Sequence, residues 1–106
     1  GEVVIGNNQE NASFPAGLCA EGVAVFQAGA RFPGVVIKAI AISAASKKNK
    51  VDKPAAPCGI CRQSISEYEN RQKSAIVLLM MGETGEVYKC GSVADILPLG
   101  FDKTYL

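Results

Sequence analysis

The 106-residue sequence contains no histidine, so any transition-metal site it builds must rest on thiolates and carboxylates. It carries little net charge, +1, which withholds the electrostatic footprint that a polyanionic duplex requires and offers no basic channel for a single strand. Its longest apolar runs, Val35 to Ala45 broken by Lys38 and Ile76 to Met81, fall far short of the roughly 20 residues that span a bilayer. No signal-peptide pattern, internal repeat or low-complexity segment is evident, and the expected setting is a reducing, cytoplasmic one.

What is there is a chain of 48% hydrophobic content, suited to one domain with one core. A domain of this size buries roughly 60 to 70% of its unfolded surface, enough to fold without disulfide staples. The four cysteines are thereby left for chemistry.

Glu2-Val3-Val4-Ile5 reads as a strand closed by the turn Gly6-Asn7-Asn8. A loop from Gln9 to Gly17 delivers Cys19 to a helix over about Ala20 to Arg31, limited by Pro33-Gly34. The β-branched run Val35 to Ser46 predicts a central strand covered on both faces. Lys47 to Pro54 has no periodicity and reads as a solvated loop. Helical spacing resumes over Cys58 to Asn70, with Ile60, Ile65 and Tyr68 on the packed side. Ser74 to Met81 and Glu86 to Cys90 read as strands joined by Gly82-Glu83-Thr84-Gly85, a connection short enough to favour antiparallel pairing. Ser92 is placed to cap a short helix ended by Pro98, before a tail bearing Phe101 and Tyr105. This order predicts an α/β fold, a three-layer α/β/α sandwich with a mixed central sheet.

The chemistry concentrates in Pro57-Cys58-Gly59-Ile60-Cys61-Arg62-Gln63. Thiols at i and i+3 share a helix face and reach one metal ion, so the stretch reads as half of a zinc site. Cys19-Ala20-Glu21 is the best candidate for the other half, which gives three thiolates and one unligated carboxylate. Three protein ligands leave a tetrahedral zinc ion one open position. On spacing alone a redox pair, or a structural site completed by Cys90, stays open. Three thiolates around Zn²⁺ leave one excess negative charge, to be offset by two helix N-termini, each worth about half a positive charge, or by Arg62.

These two motifs closely resemble those of the small cytidine deaminases of pyrimidine salvage, including their all-cysteine zinc site. The likeness extends through Gly6-Asn7-Asn8-Gln9-Glu10-Asn11-Ala12-Ser13-Phe14-Pro15 and, more weakly, Leu97-Pro98-Leu99-Gly100-Phe101. It implies a zinc ion in each subunit on Cys19, Cys58 and Cys61, with Glu21 as the proton carrier in hydrolysis of cytidine or deoxycytidine to the uracil nucleoside and ammonia. It further implies ribose contacts from Asn8 and Glu10, base contacts from the backbones of Ala20 and Ala56, and Phe101 reaching a neighbouring subunit of a homo-oligomer, a tetramer in the family. A core role for Phe101 is the competing expectation.

Two departures from the family pattern are evident. Gly22 stands where the family often has arginine, which throws the charge compensation onto Arg62 or the helix ends. Members also normally begin with a further helix and strand, so residues 1–106 are expected to be one N-terminally incomplete deaminase domain. A blasticidin-S-type deaminase and an inactive, structural zinc domain are the alternative readings of the same residues.

Overall fold

Helix α1 spans Ala20–Arg31, the range that its alanines and apolar spacing predict. In the computed structural model, which describes residues 1–106, this helix belongs to the first of two units, Gly1–Val36; the second is Ile37–Leu106. The helix ends where Phe32 N–H donates to Ala28 O at 2.9 Å and Gly34 adopts φ 78° in the following turn. Arg31, in the last turn, complements the negative end of the helix and lies over the Phe32 ring, 5.1 Å from its centroid.

The segment before α1 corrects the sequence reading. Glu2–Ile5 does not form a strand, because its backbone groups meet no ladder partner. Exposure nevertheless alternates along it: Val3 and Ile5 are 81% and 83% exposed, while Val4 and Gly6 are half-buried. What the segment packs on is α1. A Cβ at Gly6 would sit 2.6 Å from Ala20 O and 2.8 Å from Ala24 N, so only glycine permits this approach. Gln27 Nε2 donates to Ile5 O at 3.4 Å from the same helix.

The loop from Gln9 to Gly17 is closed at its base by an antiparallel bridge between Gln9 and Leu18, with N···O distances of 2.8 and 3.0 Å. Between them, Phe14–Ala16 forms a 3-10 turn around Pro15. The bridge ends one residue before Cys19, which fixes where that side chain leaves the loop.

In the second unit β1 spans Ala39–Ser43, α2 Gly59–Gln72, β2 Val77–Met81 and β3 Tyr88–Cys90. The sheet is mixed, as expected of the α/β class, in the order β1-β2-β3. β1 pairs with β2 in parallel, Ala39 opposite Val77, and β2 with β3 antiparallel, Leu78 opposite Cys90. The predicted central strand Val35 to Ser46 is therefore an outer one, and shorter. Val35 and Val36 are exposed, as are Ala39, Ala41 and Ser43. A β-branched run signals strand conformation but not which side bears a partner. The Gln72 side chain fixes where pairing begins: its amide accepts from Ile37 N and donates to Ile37 O, both at 2.9 Å.

The core of this unit draws on Ile42 of β1, Cys61 and Ile65 of α2, Ile76, Leu78 and Met80 around β2, and Val93. Cys61 and Ile65, four residues apart, mark the buried stripe of α2. Ile60, expected on the packed side, is instead 78% exposed, since it lies about 100° around the helix from Cys61. As expected, Ser92 caps the turn after β3, its Oγ accepting from Ala94 N at 3.1 Å; that turn, Val93–Ile96, is 3-10. Near the C-terminus the hydroxyl and N–H of Thr104 both donate to Asp102 and hold its carboxyl below the usual carboxylate range.

One carboxylate ties these elements together. Glu69 of α2 accepts from Ile76 N at 2.8 Å, Ser92 Oγ at 2.7 Å and Val93 N at 3.2 Å. Glu69→Ala leaves three donors without their acceptor and is expected to lower unfolding stability by about 2–3 kcal/mol. Urea denaturation checks this, with a shifted midpoint and unchanged slope as the expected result.

Candidate metal centre

Both helices begin on a cysteine. Cys19 is the N-cap of α1 (φ −74°, ψ 159°) and Cys58 the N-cap of α2 (φ −69°, ψ 173°), so a thiol replaces the oxygen-bearing residue that usually caps a helix. Neither cysteine side chain caps its helix, a contribution of about 1 kcal/mol from an oxygen-bearing residue, which is sensible where the sulfur has another task. The positive pole of each helix macrodipole favours the thiolate there, which is the ligating form. Cys61 sits one turn into α2 and is only 3% exposed, whereas Cys58 is exposed and Cys19 half-buried.

The Sγ atoms of Cys19, Cys58 and Cys61 all lie within 4.8 Å of one another. A tetrahedral zinc ion with bonds of about 2.3 Å sets its sulfurs about 3.8 Å apart. The donor set and its spacing thus fit zinc. Cys90, at the end of β3, is half-buried and outside this group.

Arg62, expected to offset thiolate charge, also ties backbone segments together. Its Nε donates to Pro57 O and its Nη1 to Ile96 O, both at 2.8 Å. The guanidinium is thereby committed to two carbonyls, one of them on the buried residue immediately before Cys58. Gln63, given no role by the sequence reading, donates to Phe101 O at 2.7 Å. The residues following Cys61 thus fasten both the approach to Cys58 and the C-terminal segment. Besides Arg62, the helix N-termini at Cys19 and Cys58 are sources of positive potential.

A match to the family model described as the cytidine and deoxycytidylate deaminase zinc-binding region covers residues 1–78. The chain belongs to this family. A cytidine deaminase of Halalkalibacterium halodurans is 34% identical over 101 residues, covering 95% of this chain and 69% of that protein. One of Mycoplasma genitalium is 30% identical over 119 residues, covering 96% and 77%. The crystal structure of cytidine deaminase from Burkholderia pseudomallei superposes with a TM-score of 0.76 at 35% identity, over 95% of this chain and 73% of that one. Members of this family carry the zinc-binding region in which the three cysteines fall.

The remaining residues singled out by the family pattern fall as follows. Glu21 occupies the first turn of α1, where the macrodipole favours a carboxylate. Asn8 Oδ1 accepts from Ala20 N at 2.8 Å, supplying from a distant loop residue the cap that Cys19 does not. The Ala20 N–H is therefore already engaged. Glu10 is exposed beyond the Gln9–Leu18 bridge. Ala56 is exposed, and its backbone makes no hydrogen bond within the chain. Phe101 is 52% exposed and stacks on Tyr105 at 5.3 Å, which removes the core role. Gly22 is buried in α1, where an added Cβ would meet only Phe26, at 3.8 Å. No helix is long and apolar enough to cross a membrane.

Proposed function

We propose that this chain catalyses the zinc-dependent hydrolytic deamination of free cytidine or deoxycytidine, within pyrimidine salvage in the cytoplasm. The observation that carries the proposal is Glu21 two residues beyond Cys19, in a chain whose three thiols cluster as a zinc ligand set. A purely structural zinc site has no need of a carboxylate beside an open coordination position.

When bound, the zinc ion supplies Lewis-acid activation of water at neutral pH. Glu21 would take one proton from the attacking water and deliver it to the ring nitrogen as the oxygen bonds to the amine-bearing carbon. It then carries the second proton to the amine, the C–N bond breaks, and ammonia leaves with the uracil nucleoside as co-product. Both protons and the oxygen come from one water, so no further reactant is needed.

Binding falls to the polar loop residues. With Asn8 Oδ1 held by Ala20 N–H, the Asn8 amide nitrogen is the group left to donate to a ribose hydroxyl. The Glu10 carboxylate accepts from a second hydroxyl. Ala56, with its backbone groups unpaired within the chain, suits a contact to the edge of the base, whereas Ala20 contributes only by sharing its engaged N–H. Phe101, half-exposed, serves the pocket of a second copy in a homo-oligomer, a tetramer by family likeness.

The test is the loss of cytidine absorbance by the zinc-loaded chain, with zinc-stripped protein, blasticidin S and single-stranded DNA as comparisons. Turnover of the nucleoside alone, dependent on zinc, is the expected result. Folded, zinc-loaded protein that leaves cytidine unchanged overturns the reading in favour of a structural zinc domain, and preference for blasticidin S reassigns the substrate.

A further inference from the structure

The chain between β1 and α2, residues 44–58, has no regular structure, yet it must deliver Cys58 to a fixed place. It is held where it crosses the turn between β2 and β3. Val51 N donates to Glu83 Oε2 at 2.7 Å, while Val51 O accepts from Glu83 N at 2.8 Å and from Thr84 N at 3.3 Å. Farther along, Ala55 N donates to Met81 O at 3.4 Å, and Pro57 O is taken by Arg62.

The turn is shaped for this approach. A Cβ at Gly82 would lie 2.6 Å from Val51 O and 2.7 Å from Lys53 O. At Gly85, where φ is +92°, it would lie 2.1 Å from Asp52 O. Both glycines are required by the backbone that passes over them, and they flank the one side chain of the turn that accepts a hydrogen bond from that backbone.

We propose that Glu83 is a positioning residue for the metal-bearing loop: its carboxylate clips Val51 to the β2–β3 turn and so fixes the path through Ala55 and Pro57 to Cys58. An irregular segment without such an anchor samples many conformations, and a ligand at its end spends less time in bonding position. The Val51 carbonyl keeps both of its donors when the carboxylate is removed, so the clip loosens without the unit unfolding.

The inference rests on the zinc assignment under Proposed function, but its readout does not need turnover. Zinc-loaded wild type, Glu83→Ala and Glu83→Gln are mixed with a chromogenic zinc chelator, well below the unfolding midpoint of each, and the rate of zinc release is followed. Glu83→Ala is expected to release zinc about 10-fold faster. Glu83→Gln, which keeps an acceptor oxygen for Val51 N, is expected to stay near wild type. Release from Glu83→Ala at the wild-type rate, whatever its thermal midpoint, overturns the proposal, as does a glutamine variant as fast as the alanine one. Wild type that takes up no zinc overturns the metal assignment instead.

Discussion

Glu21→Gln lowers kcat for cytidine by about 10²- to 10⁴-fold while zinc stays bound, the range expected when a positioned proton carrier is lost. Glutamine matches glutamate in shape but has no proton to take or return at neutral pH. The substitution stands in the first turn of α1, where a neutral side chain forgoes about 0.3–1 kcal/mol of interaction with the macrodipole, too little to unfold the helix. Steady-state kinetics beside a zinc determination on the same sample gives the answer. A fall in kcat with full zinc content places Glu21 in the proton transfers. A variant that turns over at the wild-type rate removes it from them.

Cys61→Ser weakens zinc binding about 100-fold. A zinc site worth about 10–16 kcal/mol over four ligands averages about 3 kcal/mol for each, and the serine hydroxyl does not ionise near neutrality as a thiol does. Cys61 is the most buried of the three cluster thiols, so the new hydroxyl also sits in the core beside Ile65 on the same helix stripe. Loss of zinc and a lower thermal midpoint are therefore expected together. Cys90→Ser is the matched comparison: it lies outside the thiol cluster and should keep the metal. Equal zinc loss from both variants would bring Cys90 into the site.

The elements that carry the thiols were legible in the sequence because their signals are local. Twelve residues of helical spacing ended by Pro33-Gly34 define α1, and the Cys-x-x-Cys pair at the start of α2 needs no tertiary information to be read. Sheet position was not legible. Whether Val35 to Ser46 lies inside or at the margin depends on what pairs beside it, and apolar content is silent on that point. The same limit undid Glu2–Ile5, whose β-branched run was read as a strand although the partner it finds is the helix at Ala20 and Ala24.

At the site, residue types were easier to place than their partners. An arginine one residue after a cluster cysteine invites an electrostatic reading, and its bonds to the backbone carbonyls of Pro57 and Ile96 were not legible beside it. Gln63, Glu69 and Glu83 were missed for a related reason: each acts on backbone groups brought near it only by the fold. The glycines on either side of Glu83 were the available hint, since Gly82 and Gly85 mark a turn over which another backbone passes.

The shared acceptor at Glu69 has a consequence for how the protein breathes. Ile76 and Val93 stand 17 positions apart in the sequence, yet both amides point to the same oxygen. Swinging that one side chain away uncovers them at once, so their protons trade with solvent in a single opening event rather than two. The start of β2 and the turn after β3 thus belong to one cooperative patch, hinged on a residue of α2.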